Sequence, residues 1–134
     1  MLRIKTRVGP SEIHGVGLFA DEDVAEGTVI WERTSLDLVL LSSDLASLPD
    51  VEREFVYEYG TFCRVLDTRF VCLDNTRFMN HATGLAANVV STDLQIDSVN
   101  IAARRIRRGD EITIDYSTIC DAVRGSSPDF VGRK

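Results

Sequence analysis

The chain has 134 residues, 44% of them hydrophobic and 27% charged, with a formal net charge of −6. That length predicts a single domain over residues 1–134 that buries a real core; the acidic balance argues against nucleic-acid binding, where phosphate contacts need Lys and Arg, and suits a basic partner. No apolar run approaches the roughly 20 residues of a membrane span, and Met1-Leu2-Arg3-Ile4-Lys5 lacks a signal-peptide core, so the expected location is intracellular and cytoplasmic, with no membrane partner.

Residues 2–8 alternate and predict a strand stopped by Gly9-Pro10. Next comes the glycine-punctuated stretch Gly15-Val16-Gly17-Leu18-Phe19-Ala20. Gly15, Gly17 and Ala20 have the spacing of a dinucleotide-binding fingerprint, but that motif needs a crossover helix opening at the glycines. Gly27 interrupts too early for such a helix, and Asp21, Glu22 and Asp23 crowd the place of a phosphate. A plain glycine turn between two strands fits the same residues. Residues 28–33 and 36–41 read as strands, the first dominated by β-branched residues and the second ended by Ser42-Ser43-Asp44. The best helix covers residues 50–59: Pro49 and Asp50 start it, Glu52 sits in its first turn and Gly60 stops it, with Val51, Phe55, Val56 and Tyr59 sharing one face.

A hairpin over residues 62–73 turns at Asp67-Thr68. Asp74-Asn75 introduces a short helical turn carrying Arg77 to His81. Residues 84–87 are a small-residue loop, and residues 94–96 and 99–103 are further strands. Arg104-Arg105-Ile106-Arg107-Arg108 reads as a solvated strand end, since no aromatic residues interleave it as a nucleic-acid site would need. Ile112, Ile114 and Tyr116 alternate with Glu111, Thr113 and Asp115, the period of a half-buried strand ending on a tyrosine. Residues 117–134 form a polar tail.

Taken singly, a histidine near Phe and Met is a packed core residue, and a tyrosine at a strand end is packing with a bonded hydroxyl. Together and in this order, three segments resemble the SET-domain lysine methyltransferases. Arg77-Phe78-Met79-Asn80-His81 matches that family's R-F-x-N-H, Gly109 through Tyr116 matches its G-E/D-E-L/I-x-x-D-Y, and Gly15-Val16-Gly17 matches its G-x-G. The resemblance implies a mainly β fold, the SET-domain β-clip: several short twisted sheets, one main helix and a knot-like C-terminal crossing. It also implies S-adenosylmethionine as methyl donor and the ε-amine of a lysine-bearing protein or peptide as acceptor. Tyr116 is then the catalytic tyrosine. Gly15, Val16 and Gly17 offer backbone to the methionine part of the cofactor, Asn80 and His81 hold it through side-chain amide and backbone, and Arg77 and Phe78 flank it, Phe78 against the adenine. Tyr59 borders the lysine channel.

The chain departs from the family pattern in three places. After Asn80-His81 the usual small Ser is Ala82, the Pro is missing, and Asn88 arrives two places late. Trp31 sits two places before the usual aromatic position and is expected in the core. The cysteine-rich zinc tail is absent: Cys63, Cys72 and Cys120 are an odd number without C-x-x-C spacing, whereas a structural zinc needs four ligands, so no metal is expected. Closing the channel then falls to residues 121–131, with Phe130 as an apolar lid. The altered loop leaves an alternative, a catalytically idle SET-like binding module, and pairing with a second copy of the chain stays open.

Overall fold

The computed structural model describes residues 1–63, 66–92 and 99–119. Strands β1 (Thr6–Pro10) and β2 (Val16–Ala20) pair as an antiparallel ribbon. Strands β3 (Val29–Glu32), β9 (Val99–Ala102), β8 (Val89–Ser91), β10 (Thr113–Ile114) and β7 (Asn80–His81) form a five-stranded sheet in that spatial order. A three-stranded sheet holds β4 (Leu38–Leu41), β6 (Thr68–Val71) and β5 (Thr61–Cys63). One short helix, α1 (Ser42–Leu45), precedes the main helix α2 (Asp50–Tyr59). Small sheets and one main helix are the architecture that the resemblance implied. No helix of the described residues is long and apolar enough to cross a membrane.

The first strand differs from expectation. β1 runs through Gly9 and Pro10, because Pro10 ends the ribbon, where a missing N–H costs little. The residues before it join the large sheet instead: Leu2 bridges to Trp31, and the Arg3 amide donates to the Ile30 carbonyl at 2.8 Å. α2 has the expected bounds but not the expected face. Only Val56 is buried, against Leu45 and Val71, while Val51 is 77% exposed. The helix touches the sheet along one edge, so half of its apolar stripe stays outside. The helical turn after Asp74 is shorter than expected. It spans Asn75–Phe78 as a 3₁₀ turn capped by the Asp74 carboxylate, and Asn80-His81 is strand.

β10 is the structural centre. It lies between β7 and β8 and runs parallel to both. Ile112, Thr113 and Ile114 are therefore all buried, so the half-buried alternation expected from the sequence does not hold. A strand flanked by parallel neighbours is covered on both faces. Its contacts are short, and a side chain supplements them: the Asn88 amide donates to the Glu111 carbonyl at 2.8 Å and accepts from the Thr113 amide at 2.9 Å. Asn88 thus imitates a neighbouring backbone although it comes late in the sequence.

The loop that lacks proline has another brace. The Arg104 guanidinium donates to the carbonyls of Leu85, Ala86 and Ala87 at 2.9, 2.9 and 2.6 Å. The remaining arginines of this run face the acidic stretch near residue 22. Arg105 pairs with Asp23 at 2.8 Å and Arg108 with Asp21 at 2.9 Å. Both pairs are exposed and contribute little stability. The core itself is Leu18, Ile30, Ile106 and Ile112, all at zero exposure, with Trp31 edge-on to Phe70 at 5.5 Å.

Asn88→Ala strands a buried donor and a buried acceptor of β10. The expected loss is about 2–3 kcal/mol of unfolding free energy, read from urea denaturation. A loss of a few tenths, as at a surface site, would show that Asn88 does not hold this strand.

Candidate functional site

Asn80 is 5% exposed and joins three distant parts of the chain. Its side-chain nitrogen lies 3.1 Å from the His14 carbonyl, the Val16 carbonyl and Ser11 Oγ, and 2.9 Å from Glu111 Oε1. An amide has two N–H groups, so these acceptors share them. Ser11 Oγ also donates to the Glu111 carboxylate at 2.8 Å. The cluster explains two glycines. A Cβ at Gly17 would collide with the Glu111 carboxylate. Gly15 has φ +45°, and a Cβ there would meet nothing within 4 Å, so space is open above it. Ile13 and Val16 beside it are exposed apolar residues.

Tyr116 comes two residues after β10 and is held at both ends. Its amide donates to His81 Nδ1 at 3.1 Å, and its hydroxyl donates to the Met79 carbonyl at 2.7 Å. His81 Nδ1 is therefore an acceptor in the neutral ring, and its 4.0 Å approach to Asp115 is no ion pair through that atom. The two rings lie 5.1 Å apart. Burial, then the nearby Glu58 carboxylate, push the Tyr116 phenol up to about 12. Asp115 accepts from the Ser117 hydroxyl at 2.7 Å and from the Gly84 amide at 2.8 Å, and these bonds hold its carboxyl below the usual range.

On its other side Tyr116 faces a cavity of about 140 Å³ between the two larger sheets. Tyr59, Phe62, Phe70, Met79 and Ile119 give it apolar walls, and Arg77 lines it too. Arg77 donates to the carbonyls of Leu73 and Asp74 at 3.0 and 3.1 Å and lies over Phe78. Phe78 meets Tyr59 edge-on at 6.0 Å. Glu58, Arg69, Cys72, Thr76, Asn100 and Trp31 are also part of the lining. Burial keeps the Cys72 thiol protonated by pushing it up.

The expected site residues thus fall into two groups that meet at Met79 and Tyr116. Gly15, Val16, Gly17, Asn80 and His81 lie on one side, and Tyr59 and Arg77 line the cavity on the other. Phe130 and the rest of residues 120–134 lie outside the described residues, while Ile119, just before them, reaches the cavity. Sequence reasoning missed Glu111, Ser11 and Glu58. Glu111 stood in the quoted Gly-Asp-Glu run but was assigned by alternation to the outward face. It points inward because Gly17 leaves room for it.

A family model of the SET domain matches residues 15–117. Human histone-lysine N-methyltransferase 2D is 30% identical over 117 residues, covering 79% of this chain, and its mouse counterpart matches equally. The chain spans only 2% of the length of these curated relatives. Among solved structures, a candidate histone methyltransferase of Plasmodium falciparum superposes with TM-score 0.60 at 20% identity, covering 86% of this chain and 95% of that one. Polycomb Repressive Complex 2 of Chaetomium thermophilum, in an inhibitor-bound humanized mutant, superposes with TM-score 0.60 at 23% identity over 84% of this chain and 15% of that one. At such identities the superpositions speak for the fold, and the sequence match extends over most of the chain. The chain belongs to the SET domain family.

Proposed function

We propose that the chain is an S-adenosylmethionine-dependent methyltransferase acting on the ε-amine of a protein or peptide lysine. The observation that carries this reading is the position of Tyr116, pinned between the Asn80-His81 group and an apolar cavity. The activity named for the human and mouse relatives supports it and makes a histone tail one substrate to test.

The residues fit the cofactor. Open space over Gly15, beside exposed Ile13 and Val16, suits a ligand with a flat apolar part. β7 is an edge strand, so the outer backbone groups of Asn80 and His81 can serve an adenine edge. The Asn80 side-chain amide is spent on the His14 and Val16 carbonyls, so its part is to shape the glycine segment. Arg77 and Phe78, expected to flank the cofactor, stand on the cavity side, Arg77 in its lining and Phe78 against Tyr59. When bound, the cofactor supplies an electrophilic methyl group to the amine.

A free lysine has a pKa of about 10.4 and must arrive neutral. Walls built from Phe62, Phe70 and Met79 favour the uncharged amine by desolvation. Tyr59 borders this channel. The Tyr116 phenol, pushed up to about 12, keeps its proton at neutral pH, so it orients the reactants and takes no proton. The amine proton leaves to solvent. The segment expected to close the channel, residues 121–131 with Phe130, lies outside the described residues; the last described residue on the cavity wall is Ile119.

Tyr116→Phe is expected to bind the cofactor normally, by calorimetry, and to lose on the order of 100-fold in methyl transfer to a basic peptide. Full activity would remove Tyr116 from the mechanism, and cofactor binding by the wild type without any transfer would favour an idle binding module. Truncation after Arg124 should lower turnover if residues 121–131 close the channel as the sequence leads one to expect, and unchanged turnover would dismiss that expectation. The phenol also makes a pH prediction. The unfolded chain loses this proton near 10 and the folded chain near 12, so stability is unaffected below pH 10 and erodes between 10 and 12. Unfolding midpoints measured across that window should fall less in Tyr116→Phe than in the wild type.

A further inference from the structure

Glu58 occupies a poor place for a carboxylate. It lies in the last turn of α2, where the helix dipole favours cations and no basic residue is present. Glu54 stands four residues before it, a like-charge neighbour on the same face. Among the described residues none forms an ion pair with it. Three unfavourable local choices at one exposed position, on the rim of a cavity, point to a use outside folding.

The cavity behind this rim has mostly apolar walls, from Phe62, Phe70, Met79 and Ile119. Asn100 Oδ1, Thr76 Oγ1 and Trp31 Nε1 are buried without a hydrogen-bond partner, and all three residues line it. The cavity's own cations are already engaged. The Arg69 guanidinium lies 4.7 Å from the Tyr57 ring and 5.1 Å from the Phe62 ring, and Arg77 is bonded to backbone carbonyls. The carboxylate is left to attract a positive group, and the apolar walls suit an aliphatic stem.

We propose that Glu58 is the specificity-determining residue of this cavity, drawing a lysine side chain to the rim by its charge before the amine loses its proton, while the apolar walls behind it take the aliphatic stem. This inference rests on the lysine-methyltransferase reading, but its test does not need turnover. A fluorescein-labelled peptide with one lysine is compared with the same peptide carrying norleucine, which keeps the stem and loses the charge. Wild type should prefer the lysine peptide. Glu58→Gln should weaken that binding about fivefold, the upper range of an exposed charge pair, leave norleucine binding unchanged and raise KM more than it lowers kcat; Glu58→Asp should restore part of the preference. Glu58→Gln should keep or raise the Tm, since it removes the clash with Glu54 and the dipole, so lost binding cannot be ascribed to misfolding. Equal lysine affinity in wild type and Glu58→Gln, or no lysine preference in wild type, would overturn the assignment. Lysine preference that depends on Glu58 without methyl transfer would keep it and dismiss the enzymatic reading. Transfer with KM unchanged in Glu58→Gln would do the reverse.

Discussion

The insertion of β10 between β7 and β8 is the constraint on which the remaining structure depends. Each of these pairings covers one or two residues, too few for backbone hydrogen bonds alone to define a register. Two side-chain amides make up the difference. Asn88 bonds to β10 as a strand would, and Asn80 ties β7 to the glycine segment and to Glu111 just ahead of β10. Buried amides of this kind are costly unless all their groups are engaged, which restricts the cluster to one arrangement.

Tyr116 inherits its position from that insertion. It comes two residues after β10 ends, and its amide and hydroxyl are both bonded to the β7 region. The glycine segment, reached through Asn80, and the cavity, reached through Met79, are therefore brought to one phenol by a few interlocked bonds. The contacts that hold β10 in place therefore also fix the phenol.

Polar groups are satisfied unevenly. The Asn80 side-chain nitrogen has four acceptors around it, whereas, among the described residues, three residues that line the cavity each hold a buried polar atom without a partner and Glu58 at its rim has no ion pair. Asp37 Oδ1 and Thr68 Oγ1, away from this cavity, are also buried without a partner.

Much was legible from residue order alone. The bounds of α2 follow from Pro49, Asp50 and Gly60, and the hairpin around Asp67 from its turn residues, because caps and turns act within a few residues. The three motifs that led to the family were likewise read without coordinates. Other features needed the folded chain. Alternation could not reveal that Ile112, Thr113 and Ile114 are covered on both faces, since that depends on which strands lie beside them. Nothing near Arg104 announces that it braces residues 85–87, and nothing near Glu111 announces the Asn80 amide. Those partners stand far along the chain, and only the tertiary structure decides which distant side chains meet.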